Sequence, residues 1–162
     1  MKLALDIFRP YADGQRIREL RGISLFKDLN ARELREVDEL LHERTYQKDE
    51  IIFDEGDVGL GLFIVLSGRA KVVSSHAALQ HLAPEFCRGD FFGEMSLFDE
   101  SPRTARVVAI ELAQVAALSR TEFFALLERN RNIAVKILLE ISRTVCRRSR
   151  QLLLQQKHVP SL

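Results

Sequence analysis

One short stretch mixes residue types that seldom occur together. FFGEMSLFDESPRTARV, residues 91–107, holds a Gly-Glu pair, a Pro-Arg-Thr-Ala run and three phenylalanines. A core segment would not hold Glu94 and Arg103 so close to aromatic rings, and a solvated loop would not hold the rings. The mixture predicts a pocket for a charged ligand.

The same residues suggest what the ligand offers. A short helix over FGEMSLF would turn the backbone amides from about Gly93 to Met95 toward one point, where an anion such as phosphate binds. The guanidinium of Arg103 matches two phosphate oxygens at once, and Thr104 adds a hydroxyl donor. Glu94 would repel a bare phosphate. Its presence therefore indicates a ligand with hydroxyl donors as well, such as a ribose phosphate.

Simpler interpretations exist for several of these patterns. Glu94 and Arg103 could form a surface ion pair that contributes little to stability. GLGLF at 59–63 precedes a strand pattern, so its glycines are interpreted as turn and sheet-packing residues. The four histidines share no metal-ligand spacing with Cys87 or Cys146, and no metal site is predicted. The two cysteines lie far apart, which favours free thiols in a reducing compartment.

The composition limits the function classes. The chain has 162 residues, 46% of them hydrophobic, and a net charge of +1. This balance gives no general attraction to nucleic acid or to acidic membranes. No apolar run approaches the roughly 20 residues of a membrane-spanning helix. We therefore expect a soluble, cytoplasmic protein without membrane association.

Helical patterns at both ends surround a segment of short strands. Residues 19–46 have helical periodicity, with Asn30 as a helix N-cap and Glu33 completing a capping box. Glycine turns then separate short apolar segments, as in an antiparallel sandwich or barrel. The predicted strands are 51–57, 61–68, 69–73, 79–83, 105–110 and 113–118. Residues 120–130 are helical again.

A long amphipathic helix is predicted over 132–157, which contains no glycine or proline. At about 1.5 Å per residue it is about 39 Å long, more than a small β unit covers, so part of it should bind another partner. A basic cluster within it is interpreted as a solvated face: Arg143, Arg147, Arg148 and Arg150. Its apolar stripe comprises Ile133, Ile137, Ile141, Val145 and Leu152, and simple packing of this stripe on the β unit is the alternative to a partner contact.

FGEMSLFDESPRTARV resembles the phosphate-binding cassette of the cyclic-nucleotide-binding domain family, which includes catabolite activator proteins and regulatory subunits of protein kinase A. IIFDEGDVGLGLFIVLSG resembles the family's paired strands, and CRGDFFGE its entry turn. The resemblance runs from about Leu25 to about Leu153. It implies an α+β fold, with an antiparallel, jelly-roll-like β-roll flanked by N-terminal helices and a long C-terminal helix.

The resemblance also implies roles for individual residues. Gly93 and its neighbours would give backbone amides to the cyclic phosphate, and Arg103 would pair with its oxygens. Glu94 would bind the ribose 2′-OH. Thr104 would bind the phosphate or a guanine edge, and the small Ala105 would leave room. The implied ligand-binding set is Phe92, Gly93, Glu94, Met95, Ser96, Arg103, Thr104 and Ala105.

The long helix would contribute to the ligand and to a partner. Leu152 and Leu153 fall where the family's base contacts lie. The resemblance implies cAMP or cGMP as ligand, and we favour cAMP; no cofactor is expected. It also implies a homodimer through the same helix, with Ile137, Ile141 and Val145 at the contact.

The expected function is a non-catalytic cyclic-nucleotide receptor. Ligand binding would reposition the C-terminal helix about a hinge near 126–132 and signal to an effector protein. The chain divides into an N-terminal helical segment (1–24), a nucleotide-binding unit (25–130) and a lid and dimerisation helix (131–162). Because no recognition helix follows, direct DNA binding is not expected. The alternative is a ligand-free interaction module, and an enzyme ranks third.

Overall fold

Two four-stranded antiparallel sheets form the middle of the computed structural model, which describes residues 13–73, 83–99 and 101–156. The helices are α1 (Asp13–Arg21), the 3₁₀ helix η1 (Ser24–Phe26), α2 (Ala31–Asp38), the 3₁₀ helix η2 (Glu94–Leu97), α3 (Arg120–Arg129) and α4 (Arg131–Gln156). The strands are β1 (Leu41–Tyr46), β2 (Ile51–Phe53), β3 (Gly61–Ser67), β4 (Ala70–Val73), β5 (Glu85–Phe86), β6 (Phe91–Phe92), β7 (Arg106–Ala109) and β8 (Ala113–Ser119).

The strand orders are β1-β8-β3-β6 and β2-β7-β4-β5, and every pairing is antiparallel. The α+β prediction is therefore confirmed: an antiparallel roll is flanked by N-terminal helices and by the long helix α4. The predicted strand 79–83 lies outside the described residues except at its last position. The short strands β5 and β6 were not predicted.

The helical prediction for residues 19–46 was right for the capped helix that follows Asn30 and wrong for the last residues, 41–46. The Asn30 side chain accepts hydrogen bonds from the N–H groups of Arg32 and Glu33, and Glu33 accepts one from the Asn30 N–H, so the capping box forms. The helix ends at Asp38, however, and 41–46 is a strand that pairs along its length with β8. This edge strand carries charged residues at the surface, so its sequence resembles that of a charge-rich helix.

Two hydrophobic cores lie on opposite faces of the β1-β8-β3-β6 sheet. One joins the two sheets and contains Phe92 and Val65. The other joins this sheet to the helices and contains Phe91, Ile137 and Ile141. Because successive strand residues point to opposite faces, the neighbours Phe91 and Phe92 pack into different cores. Strand β6 thus belongs to both.

The first half of α4 is part of the main core, which corrects the dimer prediction for Ile137 and Ile141 in favour of packing on the β unit. Ile137 and Ile141 are 0% and 1% exposed and pack against the helices and the sheet. They are therefore not available as a dimer contact. Of the three predicted residues only Val145 is exposed, at 40%.

Two buried carboxylates fix this half of α4. Glu33 accepts hydrogen bonds from Lys136 Nζ (2.8 Å) and Asn132 Nδ2 (3.0 Å). Glu140 lies 2.6 Å from Lys27 Nζ and also pairs with Arg143 and Arg147. Burial acts to raise the pKa of each carboxyl, but the cationic and hydrogen-bonding partners outweigh it and hold both pKa values below the usual 4.5.

We expect Glu33→Gln and Glu140→Gln each to lower the free energy of unfolding at pH 7 by about 1–3 kcal/mol, because a charge-assisted hydrogen-bonding group is lost. Each carboxyl has a lower pKa in the folded state than in the unfolded state. Its charged form therefore stabilises the fold at pH values above the unfolded-state pKa, and this stabilisation is lost as the pH falls through the folded-state pKa. The deficit should therefore shrink in acid, as urea denaturation at neutral and acidic pH would measure. Exposed Glu39→Gln is the control. A deficit that does not depend on pH would contradict this account.

Candidate functional site

The predicted pocket stretch forms a tight turn between β6 and β7. Gly93 caps η2 with a φ of +73°, a left-handed conformation that favours glycine. Glu94 and Ser96 follow in η2 and are 9% and 4% exposed. A buried carboxylate and a buried hydroxyl in one 3₁₀ turn require polar partners.

Arg103 supplies the central polar group of this turn. Its Nη1 donates to the Gly93 carbonyl (3.0 Å) and to Ser96 Oγ (3.0 Å). Its Nη2 donates to the Gly61 carbonyl on β3 (2.8 Å). The Arg103 N–H also donates to the Asp57 carbonyl (2.8 Å). The side chain therefore ties the turn to β3, and the backbone N–H of the same residue ties it to the loop before β3.

The environment of Arg103 is suited to an anion. The residue is 7% exposed, and its Nε has no hydrogen-bond partner among the described residues. Its guanidinium carbon lies 4.2 Å from the centroid of the Phe53 ring. Burial lowers the pKa of Arg103 below its usual value, although the charges of Asp57 and Glu94 act in the opposite direction. An oxyanion beside this guanidinium would offset the cost of burying its charge.

Glycines let the backbone approach these polar groups. A Cβ at Gly93 would lie 2.6 Å from Arg103 Nη1, and one at Gly59 would lie 2.0 Å from Ser96 Oγ. Neither position has room for a side chain. Gly59 was predicted to serve turn and sheet packing, and here it makes space for Ser96.

A cavity of about 490 Å³ opens onto this turn, in the size range of small-molecule sites. The structure brings all eight residues of the predicted binding set to its wall: Phe92, Gly93, Glu94, Met95, Ser96, Arg103, Thr104 and Ala105. The opposite wall comes from α4, through Val145, Arg148, Ser149 and Leu152. Phe53, Phe86 and Val107 are among the apolar residues between them.

Arg148 is the site residue that the sequence interpretation missed. Its Nη1 lies 3.3 and 3.2 Å from the two carboxylate oxygens of Glu94, and its Nη2 donates to the Phe91 carbonyl. The basic cluster was assigned to a solvated face, which is wrong for Arg148. Its spacing carried the signal, because it follows Ile141 by seven positions and so lies on the inward side of the helix.

The two leucines predicted near the base differ in position. Leu152 lines the cavity and is 52% exposed. Leu153 is 58% exposed and is not among the lining residues. Only Leu152 therefore contributes to the wall in this conformation.

The described ranges also bear on metal binding and membrane crossing. Within 13–73, 83–99 and 101–156, no group of three or more His, Cys, Asp or Glu side chains is arranged to hold a metal ion. None of the helices in those ranges combines the length and apolar character that crossing a membrane requires.

Comparison with known proteins gives a family match. A family model described as "Cyclic nucleotide-binding domain" matches residues 43–130, which include the whole cassette and both sheets except the first residues of β1. The match covers more than half of the chain. It includes Gly93, Glu94 and Arg103, but not α4.

Individual relatives agree with this match. The chain is 35% identical to a cyclic AMP receptor protein of Thermus thermophilus over 68% of its length and 51% of that protein's. It is 32% identical to a cAMP-dependent protein kinase regulatory subunit of Mycosarcoma maydis over 56% of its length and 17% of that protein's. The chain thus spans about half or less of these relatives. The crystal structure of Thermus thermophilus catabolite activator protein superposes with a TM-score of 0.71 and 30% identity, covering 83% of this chain and 62% of that one.

We expect Gly93→Ala to lower the free energy of unfolding by about 1–2 kcal/mol, because the new Cβ strains a left-handed residue and displaces the Arg103 guanidinium. Gly14→Ala is the matched control, since a Cβ there has nothing within 4 Å and glycine lowers helix stability. Urea denaturation should show opposite signs for the two variants. Equal effects would mean that the close approach at Gly93 is unimportant.

Proposed function

The chain belongs to the cyclic nucleotide-binding domain family, and from this membership we propose that it is a non-catalytic receptor that binds cAMP in preference to cGMP. The observation that carries the proposal is the buried guanidinium of Arg103, which belongs to the wall of a cavity of about 490 Å³ and whose Nε has no partner among the described residues. The preference for cAMP rests on relatives whose names specify it, a cyclic AMP receptor protein and a cAMP-dependent kinase subunit.

The ligand would contact the cassette through its phosphoribose. The cyclic phosphate binds Arg103 and the amides near Gly93, and the ribose 2′-OH donates to Glu94. A carboxylate has two oxygens and accepts several hydrogen bonds, so Glu94 holds the ribose and Arg148 together. The purine then lies between Phe86 and Leu152, which line the apolar part of the cavity.

Arg148 connects the ligand to the helix. The described residues beyond Val145 are all partly or fully exposed, so the Arg148 contacts with Glu94 and Phe91 are a main attachment of this end of α4 to the roll. The nucleotide changes the surroundings of Glu94 and thereby changes how the helix end docks. A ligand shifts such an equilibrium by its differential affinity for the two positions.

The segment that we propose to move differs from the hinge expected from the sequence. Residues 126–132 were expected to bend, but Leu126 is 1% exposed, and Asn130 and Asn132 donate to Glu36 and Glu33. We therefore propose that the movable part begins after Thr144, where the buried contacts end. Residues 25–130 then act as the nucleotide-binding unit, and the distal part of 131–162 as a lid that signals to an effector. The free cysteines Cys87 and Cys146 fit a cytoplasmic location.

Saturating cAMP should raise the unfolding temperature. At about a hundred times the dissociation constant, ligand stabilises by about 2.7 kcal/mol, or roughly 5–10 °C for a domain of this size. Arg103→Lys should abolish the shift, because a lysine cannot bind two oxygens in a plane. Arg106→Lys, an exposed arginine paired with Asp54, is the control and should retain it.

The measurement is thermal unfolding with cAMP, cGMP and cyclic di-GMP in parallel, with recovered cAMP analysed for hydrolysis. A larger shift with cGMP would reverse the base preference. Formation of AMP would contradict a non-catalytic receptor. No shift with any nucleotide would reject the receptor proposal and favour the interaction module.

The proposed motion can be followed through the two native cysteines. Cys87 lies in the turn between β5 and β6 and Cys146 on α4, and both are exposed. With spin labels on both, double electron–electron resonance should show that cAMP shifts the distance between roll and helix. Arg148→Gln should reduce the shift, and Arg147→Gln, whose partners are Glu140 and Thr144, should preserve it. Unchanged distances with saturating nucleotide would reject the lid motion.

A further inference from the structure

The outward side of α4 carries a regular seam that nothing in the described chain covers. Six exposed residues follow one another at alternating spacings of four and three: Val135, Leu139, Ser142, Cys146, Ser149 and Leu153. This is the spacing of the contact positions in a coiled coil. The three large members are 46%, 49% and 58% exposed, while the serines and the cysteine allow another helix to approach closely.

The charges beside the seam have one sign. Helix α4 contains six basic residues, Arg131, Lys136, Arg143, Arg147, Arg148 and Arg150, and one acidic residue, Glu140. Glu140 is 2% exposed and faces Lys27. The exposed side of α4 therefore offers no carboxylate. Arg131 and Arg150 flank the seam on opposite edges, and neither has an ionic or hydrogen-bonding partner within the described ranges.

This charge pattern argues against a second copy of the same helix on the seam. Two α4 helices cannot exchange ion pairs along the seam, because neither presents a carboxylate there. An antiparallel pair would also oppose basic edge to basic edge, and like charges in register disfavour pairing. A partner helix with glutamates at its flanking positions would pair with Arg131 on one edge and Arg150 on the other, whereas Arg143 already pairs with Asp28 and Glu140.

We propose that the outward face of α4, defined by the six seam residues, is the docking site for an acidic amphipathic helix of a partner protein. The apolar seam supplies the contact area, and the flanking arginines select the acidic partner. Seam and nucleotide cavity lie on neighbouring faces of α4, and Ser149 belongs to both. Docking and nucleotide binding then influence each other reciprocally. This coupling rests on the proposed function, whereas docking itself does not.

The test uses the full chain without nucleotide and two designed helical peptides of about four heptads. Both peptides have leucine and valine at the seam positions; one has glutamate at all flanking positions and the other lysine. Fluorescence anisotropy should show that the glutamate peptide binds about tenfold or more tightly than the lysine peptide. This preference should weaken between about 0.1 M and about 1 M salt, where the Debye length falls from about 10 to about 3 Å.

A charge-swapped variant separates this docking from general attraction. Arg131→Glu with Arg150→Glu should reverse the preference in favour of the lysine peptide. Since neither arginine has a partner in the described structure, the fold should remain intact, as circular dichroism would check. The control is Arg32→Glu with Lys48→Glu, the same charge change at exposed positions away from α4; it should keep the glutamate preference.

Three results would overturn the proposal. One is no binding of the glutamate peptide at either salt concentration. Another is an equal loss in the swapped and control variants, which would indicate attraction by net charge alone. The third is sedimentation of the chain alone as a dimer that Leu139→Lys dissociates, which would assign the seam to a second copy. None of these measurements includes a nucleotide, so failure here is distinct from failure of the receptor proposal.

Discussion

The buried guanidinium of Arg103 is the interaction on which the site depends. It holds the carbonyls of Gly93 and Gly61 and the hydroxyl of Ser96, so the turn, strand β3 and the binding wall are positioned by one side chain. Burying a cation is costly unless its donors are satisfied. Both Nη nitrogens donate to groups of the described chain, whereas Nε has no partner there. The group proposed to bind the anion of the ligand is thus also the group that shapes the turn, and the two roles cannot be separated by simple truncation.

The sequence predicted features formed by residues close together along the chain better than features formed by residues far apart along it. The fold class, the long helix and the eight cassette residues at the cavity follow from local pattern and family resemblance, because these features are encoded in contiguous residues. Strand β1 was mistaken for helix because its identity depends on pairing with β8, some 70 positions later. Arg148 was missed because its partner Glu94 is 54 positions away. A charged residue on an apolar stripe was the available signal.

Helix α4 is held in two different ways along its length. Its first half is in the hydrophobic core, and the carboxylates of Glu33 and Glu140 fix its orientation. Its second half meets the roll chiefly through the Arg148 pair with Glu94, which is itself part of the cavity wall. Stability is therefore concentrated where the helix begins, and the proposed lid is the more weakly held end. A regulated element needs this low-stability region next to a rigid support.

Strand β6 connects the turn at Gly93 to both hydrophobic cores. Phe91 and Phe92 are adjacent but belong to different cores, and Gly93 follows them directly. A displacement of the turn would therefore shift side chains in the core between the sheets and in the core beneath the helices together. The Phe91 carbonyl also accepts a hydrogen bond from Arg148, so Phe91 contacts α4 as well. Close-packed interiors transmit such strain instead of absorbing it. Phe91 and Phe92 therefore connect the turn at Gly93 to both packed layers.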